Sequence, residues 1–424
     1  MQKLKNKINN SAYLKNILIL TSGSVIAQAI AICASPIVTR LYTSAQLGAY
    51  TLALSIISMF GPVICGRYEM SIVTAEDDSE IYNLIGLSSI ITVVFSIFVA
   101  IGYTIYINNN LEIMEQLGYS SYVIILILII TGLTNILTSY NNRNKQYSII
   151  SSVTVIRSVV QYVCQIVLGL IKASSANLVF SNLICSIFGI KRQGKYLWKN
   201  RVNINTIRFR EMKNCFFKYK KQLLFGAPAS FMNLASYSIL NFFITGLFGL
   251  GTFGYYSLSF RMLNLPLSII GMNVSKVFFQ KSSEELQSEG NYIKSLKKFS
   301  AFLALISIIM VIFLMLTAPF LFEIFFGEGW NVAGRYVVIL APMYGIRLIV
   351  SSVSTSLIVS QKQDSELVMQ ILFVISGIIT YFICKEFQLP IENFLILISI
   401  IYSLVYVIFY LYIYKLSKGD KNYD

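Results

Sequence analysis

YVIILILIITGL, residues 122–133, sets the fold class of this chain. It is an unbroken apolar run without a charge, and no polar residue alternates through it. Extended to residues 119–140 it reaches the ~20 residues an α-helix needs to cross ~30 Å of hydrocarbon. Membrane β-barrels show short alternating segments instead, so the run excludes them. Working outward, comparable stretches fall at 14–37, 45–66, 82–107, 148–170, 175–190, 223–246, 253–275, 299–322, 335–358, 367–384 and 391–414. With 119–140 these make about twelve spans, of which 175–190 and 367–384 are the shortest.

The composition agrees. Of 424 residues, 56% are hydrophobic and 12% charged, against roughly 25% charged in soluble domains. Connections are mostly shorter than 20 residues, leaving no room for a catalytic domain outside the membrane. Lys3, Lys5, Lys7 and Lys15 precede the first apolar stretch, which is long enough to span and reads as a retained helix rather than a cleaved signal. The six Cys are scattered and read as small core hydrophobes. With no His in the chain, metal sites and imidazole catalysis have no raw material.

The net charge of +15 reads as topology rather than nucleic-acid binding. About 27 of the 34 Lys and Arg fall on the side of the N-terminus, four on the other, and three inside helices. The Lys/Arg-rich side is expected to be cytoplasmic, which puts both termini inside a bacterial inner membrane. Lys191 to Lys221 alone carries eleven basic residues and one acid, Glu211, as an anchor at an anionic leaflet would.

That basic stretch divides two comparable halves. At a constant offset of 206, TRLYTSAQLGAYTLAL (Thr39–Leu54) meets TGLFGLGTFGYYSLSF (Thr245–Phe260), pairing Thr39 with Thr245, Gly48 with Gly254 and Tyr50 with Tyr256. Both mark the junction of the first two helices of a six-helix set. The expected architecture is all-α and polytopic: two parallel six-helix lobes, 1–190 and 223–424, around a central cavity, joined by a basic cytoplasmic linker at 191–222. This is transporter geometry.

Ionisable groups at membrane depth are expensive and face a bundle interior or an aqueous cavity. Spacings of three and four put Thr154, Arg157, Gln161 and Gln165 on one helix face. Ser257, Arg261, Asn264 and Ser268 repeat the pattern, as do Tyr344, Arg347, Ser351 and Ser354. Ser24, Gln28 and Ser35, with Ser230, Asn233, Tyr237 and Asn241, are uncharged versions on the first and seventh helices. A planar Arg fork suits phosphate, and amides and hydroxyls suit sugar hydroxyls. The competing reading is interhelical glue. No Asp or Glu sits centrally in any expected span. Arg67 and Glu69, in CGRYEMS, come nearest to an ion pair and make Glu69 the coupling or gating candidate. Arg40 sits at the opposite end of helix one, where anionic substrate or lipid headgroups can meet it. Pro36, Pro62, Pro228 and Pro266 lie in or near helices one, two, seven and eight, where a gate would bend.

SPIVTRLYTSAQLGAY, CGRYEMSIV, GYYSLSFRMLNLPLSIIGMNVSKVFFQ and FFGEGWNVAGRYVVILAP together resemble the bacterial O-antigen and capsule oligosaccharide flippases. These belong to the multidrug/oligosaccharidyl-lipid/polysaccharide exporter superfamily. The resemblance covers about residues 14–414. It implies a MATE-like pair of lobes that moves an undecaprenyl-pyrophosphate-linked repeat unit to the periplasmic leaflet by alternating access, without enzymatic chemistry or a cofactor. Coupling to an H⁺ or Na⁺ gradient is implied, and a polysaccharide polymerase complex is the expected partner besides membrane lipids. The cavity cations of that family carry over to Arg157, Arg261 and Arg347, and its motif charges to Arg40, Arg67 and Glu69. The two additional C-terminal helices of the peptidoglycan-precursor flippase are not expected here. Alternatives are a multidrug or toxin antiporter, disfavoured by the missing central carboxylate, and a glycan polymerase or ligase, disfavoured by short outward loops.

Overall fold

The computed structural model describes residues 2–118, 122–199, 207–362 and 364–419, and among these every regular element is helical. The chain forms two compact units, Met1–Leu234 and Ala235–Asp424.

Unit 1 contains α1 (Gln2–Leu41), α2 (Ser44–Phe60), α3 (Tyr68–Thr74), α4 (Asp78–Asn108), α5 (Leu111–Leu117), α6 (Val123–Arg143), α7 (Tyr147–Ile171), α8 (Ser175–Ile187), α9 (Ile190–Lys199) and α10 (Phe209–Lys218). A capping box sets the start of α2: Thr43 Oγ1 accepts from the Gln46 amide, and Gln46 Oε1 accepts from the Thr43 amide. The expected second span, 45–66, ends earlier than the apolar pattern does. Pro62 closes it in a single 3₁₀ turn, Gly61–Val63, and Gly66 (φ 61°) and Arg67 (φ 65°) then turn the chain into α3. α6 packs against α3, α4 and α8. Gly132 makes the α4–α6 approach possible, since any Cβ there would overlap the Thr92 side chain.

α11 (Ala227–Pro266) gives its opening turns to unit 1 and the rest to unit 2. Unit 2 continues with α12 (Met272–Glu289), α13 (Ile293–Phe326), α14 (Asn331–Val353), α15 (Ser356–Val359), α16 (Asp364–Glu386) and α17 (Ile391–Ser417). α14 is its core, packed against α13 and α17 and burying Tyr344, Leu348 and Val353 almost completely. Gly249 interrupts α11 with φ 78° and ψ 173°. It lies 206 residues beyond Thr43, so the duplicated motif marks a helix junction in both halves. Five-residue π-helical turns adjoin two of the expected prolines: Gln222–Gly226 shortly before Pro228, and Leu267–Gly271 directly after Pro266. A proline supplies no N–H to the ladder, and a π turn is one way to absorb the defect.

Among the described residues, ten stretches are long and apolar enough to cross a bilayer. One of them, Ser238–Glu289, contains the Gly249 break and so covers the expected span 253–275 and the last part of 223–246. α8 is the remaining one, and with 13 residues it rises only about 20 Å. About twelve membrane helices result, with the sixth too short to cross unaided. Long exposed side chains on the spans, such as Phe98, Ile105, Leu316 and Leu404, suit a lipid surrounding. The stretch expected as a linker, 191–222, holds two helices seated on unit 1: α9 on α6 and α7, and α10 on α4. Their apolar sides cause this, with Leu197 and Cys215 both buried. The boundary between compact units accordingly falls after Leu234.

Candidate functional site

The three arginines placed on polar stripes have three different environments. Arg157, on α7, donates from Nε to the Phe188 carbonyl (2.8 Å) and from Nη2 to the Ser186 carbonyl (2.8 Å) and Thr134 Oγ1 (3.0 Å). The last carbonyls of a helix have no partner within it, and a cation there also meets the negative end of the helix dipole. Arg157 therefore caps the short α8, with Nη1 left uncommitted among the described residues. Arg143, which the sequence did not single out, does the same for α3: its Nη1 donates to the carbonyls of Ile72, Val73 and Ala75.

Arg347, on α14, holds its guanidinium 5.2 Å from the Tyr344 ring centre, a cation–π contact. Asn264 of α11 reaches the Tyr344 hydroxyl at 3.5 Å and the Phe260 carbonyl at 2.7 Å. Arg347 and Tyr344, with Tyr256, Tyr402 and Tyr406, wall a hollow of about 20 Å³ inside unit 2, room for little more than one water. Three predicted residues, Arg347, Tyr344 and Asn264, are thus brought together. Arg261 lies one turn before Asn264 on α11. It is half-buried and makes no hydrogen bond or ion pair among the described residues.

In unit 1, Gln161 and Gln165 of α7 both donate to the Tyr50 hydroxyl of α2, at 2.8 and 3.1 Å. Tyr42 donates to the Gln165 carbonyl at 2.7 Å. These amides tie helices together. Sequence reading missed Tyr50 as the centre of a polar cluster, although the repeat paired it with Tyr256; the two are 2% and 4% exposed. Gln28, Arg40, Asn233 and Asn241 are each engaged by neighbours, and the side chain of Tyr237 lies outside the described residues. Ser257, Ser268 and Ser354 bond back to carbonyls of their own helices.

Arg67 and Glu69 form no ion pair. Arg67 sits before α3 in left-handed backbone, its Nε buried without a partner, while Glu69 lies in the first turn of α3 with Oε2 buried and unpartnered. Burial pushes the Glu69 carboxyl up to about 7, opposed by its own backbone N–H and by Arg67. Two larger hollows among the described residues are lined without arginine. One, of about 490 Å³, lies between α1 and α7 beside Cys33 and Tyr162; another, of about 600 Å³, is walled by Met315, Pro342 and Leu404.

The fold is that of the MOP-superfamily transporters. The chain is similar over 93% of its length to the structure of the lipid II flippase MurJ in an inward closed conformation, at 16% identity, covering 87% of that chain with a TM-score of 0.70. It is similar over 93% to an inward-facing multidrug resistance MATE family transporter, at 13% identity, covering 99% of that chain with a TM-score of 0.65. A MOP superfamily transporter from Pyrococcus furiosus Vc1, described as having a binding pocket of reverse polarity, is 14% identical with a TM-score of 0.59, over 94% of this chain and 93% of that one. The chain itself belongs to the family described as polysaccharide biosynthesis protein, whose model matches residues 37–335. No curated protein matches it.

Proposed function

We propose that the protein is a flippase moving an undecaprenyl-pyrophosphate-linked oligosaccharide repeat unit, of the O-antigen or capsule kind, from the cytoplasmic to the periplasmic leaflet of the inner membrane. Both termini face the cytoplasm, and the cycle is alternating access without covalent chemistry. Arg261 carries the reading. A half-buried guanidinium on a membrane-crossing helix, with no partner among the described residues, is expensive, and a pyrophosphate supplies the missing acceptors in the bidentate geometry Arg prefers. Membership of a polysaccharide biosynthesis family and a fold similar to a lipid II flippase agree with that ligand.

Arg347 and Asn264 take part beside Arg261 by exchanging their contacts with Tyr344 for phosphate and sugar oxygens. Arg157 enters through Nη1 alone, since its other donors hold α8. Glu69, buried and lacking a partner on one oxygen, is the coupling group if an H⁺ or Na⁺ gradient drives the cycle. An antiporter of cationic drugs would call for a carboxylate where this chain presents arginines.

The experiment replaces Arg261 and Arg347 singly with Ala and Lys and counts lipid-linked glycan on the periplasmic face at equal protein level. Removing a charged partner costs about 2–5 kcal/mol, so flipping by the Arg261→Ala protein should fall at least tenfold, with Lys recovering part. Undiminished flipping in both Ala variants would end this reading.

A further inference from the structure

α9 and α10 are too short and too charged to cross a membrane; α9 follows the short α8, and α10 precedes the membrane-crossing α11. α9 begins three residues after α8 ends, and α10 leads through Lys220 and Lys221 towards α11. One side of each helix is fixed to unit 1. Asn141 Nδ2 donates to the Gln193 carbonyl at 2.9 Å, and Tyr140 lies against Tyr196. The Arg208 amide donates to Asn83 Oδ1 at 3.0 Å, Tyr68 Oη donates to the Phe216 carbonyl at 3.1 Å, and Lys218 pairs with Glu80 at 2.6 Å.

The other side is exposed and predominantly cationic, with Glu211 and Asn214 of α10 bonded to each other. Lys191, Arg192, Lys195, Arg208, Arg210, Lys213, Lys220 and Lys221 are exposed and make no ion pair among the described residues. Lys218, also exposed, is the cation of this belt held in ion pairs, with Glu80 and Glu76. Among the free cations stand large aromatic rings in the open: Trp198 at 56% exposure, Phe217 at 57% and Phe209 at 79%. Lys195 and Trp198 are three residues apart, and Phe209, Lys213 and Phe217 follow at intervals of four, so each set shares a helix face. Rings and long cationic stems on one face describe a helix lying in the membrane interface. The positive excess selects an anionic lipid surface.

We infer that α9 and α10 form a binding site for the phosphates of acidic phospholipids, held in the interface by Trp198, Phe209 and Phe217. This does not depend on the flippase reading, since the ligand is a bulk lipid and not the cargo.

The chain has two Trp, and the other, Trp330, is 5% exposed against Tyr255. A Trp330→Phe protein therefore reports from Trp198 alone. It would be reconstituted into phosphatidylcholine vesicles containing either brominated phosphatidylglycerol or brominated phosphatidylcholine at equal mole fraction, with no lipid-linked glycan present. Brominated phosphatidylglycerol should quench Trp198 about twofold more or better, and the preference should shrink as salt is raised. Lys191→Gln, Arg192→Gln and Lys195→Gln together on that background should bring the ratio towards one. Equal quenching by both lipids at low salt would overturn the inference. So would quenching by neither, which would place the belt in water against a soluble partner.

Discussion

The Nε of Arg157 donates to the carbonyl of Phe188 at 2.8 Å, and a residue whose sequence setting marks it as a ligand contact thereby finishes a helix. α8 is short, its C-terminal carbonyls need donors, and a guanidinium from α7 supplies them. Gly189 follows at φ 89°, where any Cβ would overlap Val153, so the chain leaves α8 in tight contact with α7.

Arg157→Ala should therefore be a stability variant first. Hydrogen bonds to a charged donor contribute about 1.5–3 kcal/mol each and are not additive, so a loss of about 2–4 kcal/mol is expected. Arg261→Ala, which removes no hydrogen bond among the described residues, should leave the melting temperature within a degree or two of wild type (about 0.5 kcal/mol). Thermal melts of the two purified variants separate these roles. Equal melting temperatures for both would mean that the α8 cap contributes nothing.

The buried carboxyl of Glu69 makes stability depend on pH with a definite sign. Its folded value is raised from the ordinary 4.5 to about 7, so the folded state holds the proton more tightly than the unfolded chain. The contribution is complete below about pH 4.5 and is lost as pH rises towards 7. A shift of that size corresponds to about 3 kcal/mol across the window. Arg67 and Cys65 on the same segment interact with Glu69 electrostatically, Tyr68 adjoins it, and Arg143 bonds to α3 carbonyls. Glu69→Gln should match wild type near pH 4 and melt higher above pH 7. Melting curves that remain parallel from pH 4 to 8 would show that Glu69 finds a partner or water in solution.

Helix existence was written in the apolar runs, and the duplicated motif located a junction at Thr43 and Gly249 that no composition window shows. Other features were not legible, for physical reasons. Whether Arg157 meets a phosphate or a carbonyl depends on which helix ends nearby, and the periodicity of α7 carries no information about the end of α8. The cationic stripe could therefore be read but not its partners. The basic stretch looked like a linker because its charges dominate. Its structure follows from single apolar residues such as Leu197 and Cys215, spaced to bury one side of each short helix. Arg143 was passed over because it sits at a helix end among polar neighbours, where a basic residue is commonplace.

Close backbone approach in unit 2 predicts a sharp intolerance. A Cβ at Gly334 would lie 2.5 Å from Pro319 Cα and 2.7 Å from the Ala318 carbonyl oxygen. These are backbone atoms of α13 that cannot swing aside as a side-chain tip can. Gly334→Ala should then force α13 and α14 apart, costing about 1–3 kcal/mol. Gly246→Ala, where a Cβ meets nothing within 4 Å, is the matched control and should gain slightly through helix propensity. Folded yield after detergent extraction, with melting temperature, reports both.

Tyr50 and Tyr256 are paired by the 206-residue sequence offset and should respond differently to loss of the hydroxyl. Tyr50 accepts from the amides of Gln161 and Gln165. Phe at position 50 would strand two donors between α2 and α7, at about 1–3 kcal/mol for a buried group left unsatisfied. The Tyr256 hydroxyl makes no hydrogen bond among the described residues and borders the small hollow beside Arg347. Tyr256→Phe should thus cost under about 0.5 kcal/mol in stability. If the hollow enlarges to admit a phosphate or sugar oxygen, that hydroxyl becomes a ligand donor, and Tyr256→Phe should reduce flipping severalfold in a protein that melts normally. Loss of stability without loss of flipping at position 256 would instead make both tyrosines packing residues, and would leave Arg261 to hold the anion without a neighbouring hydroxyl.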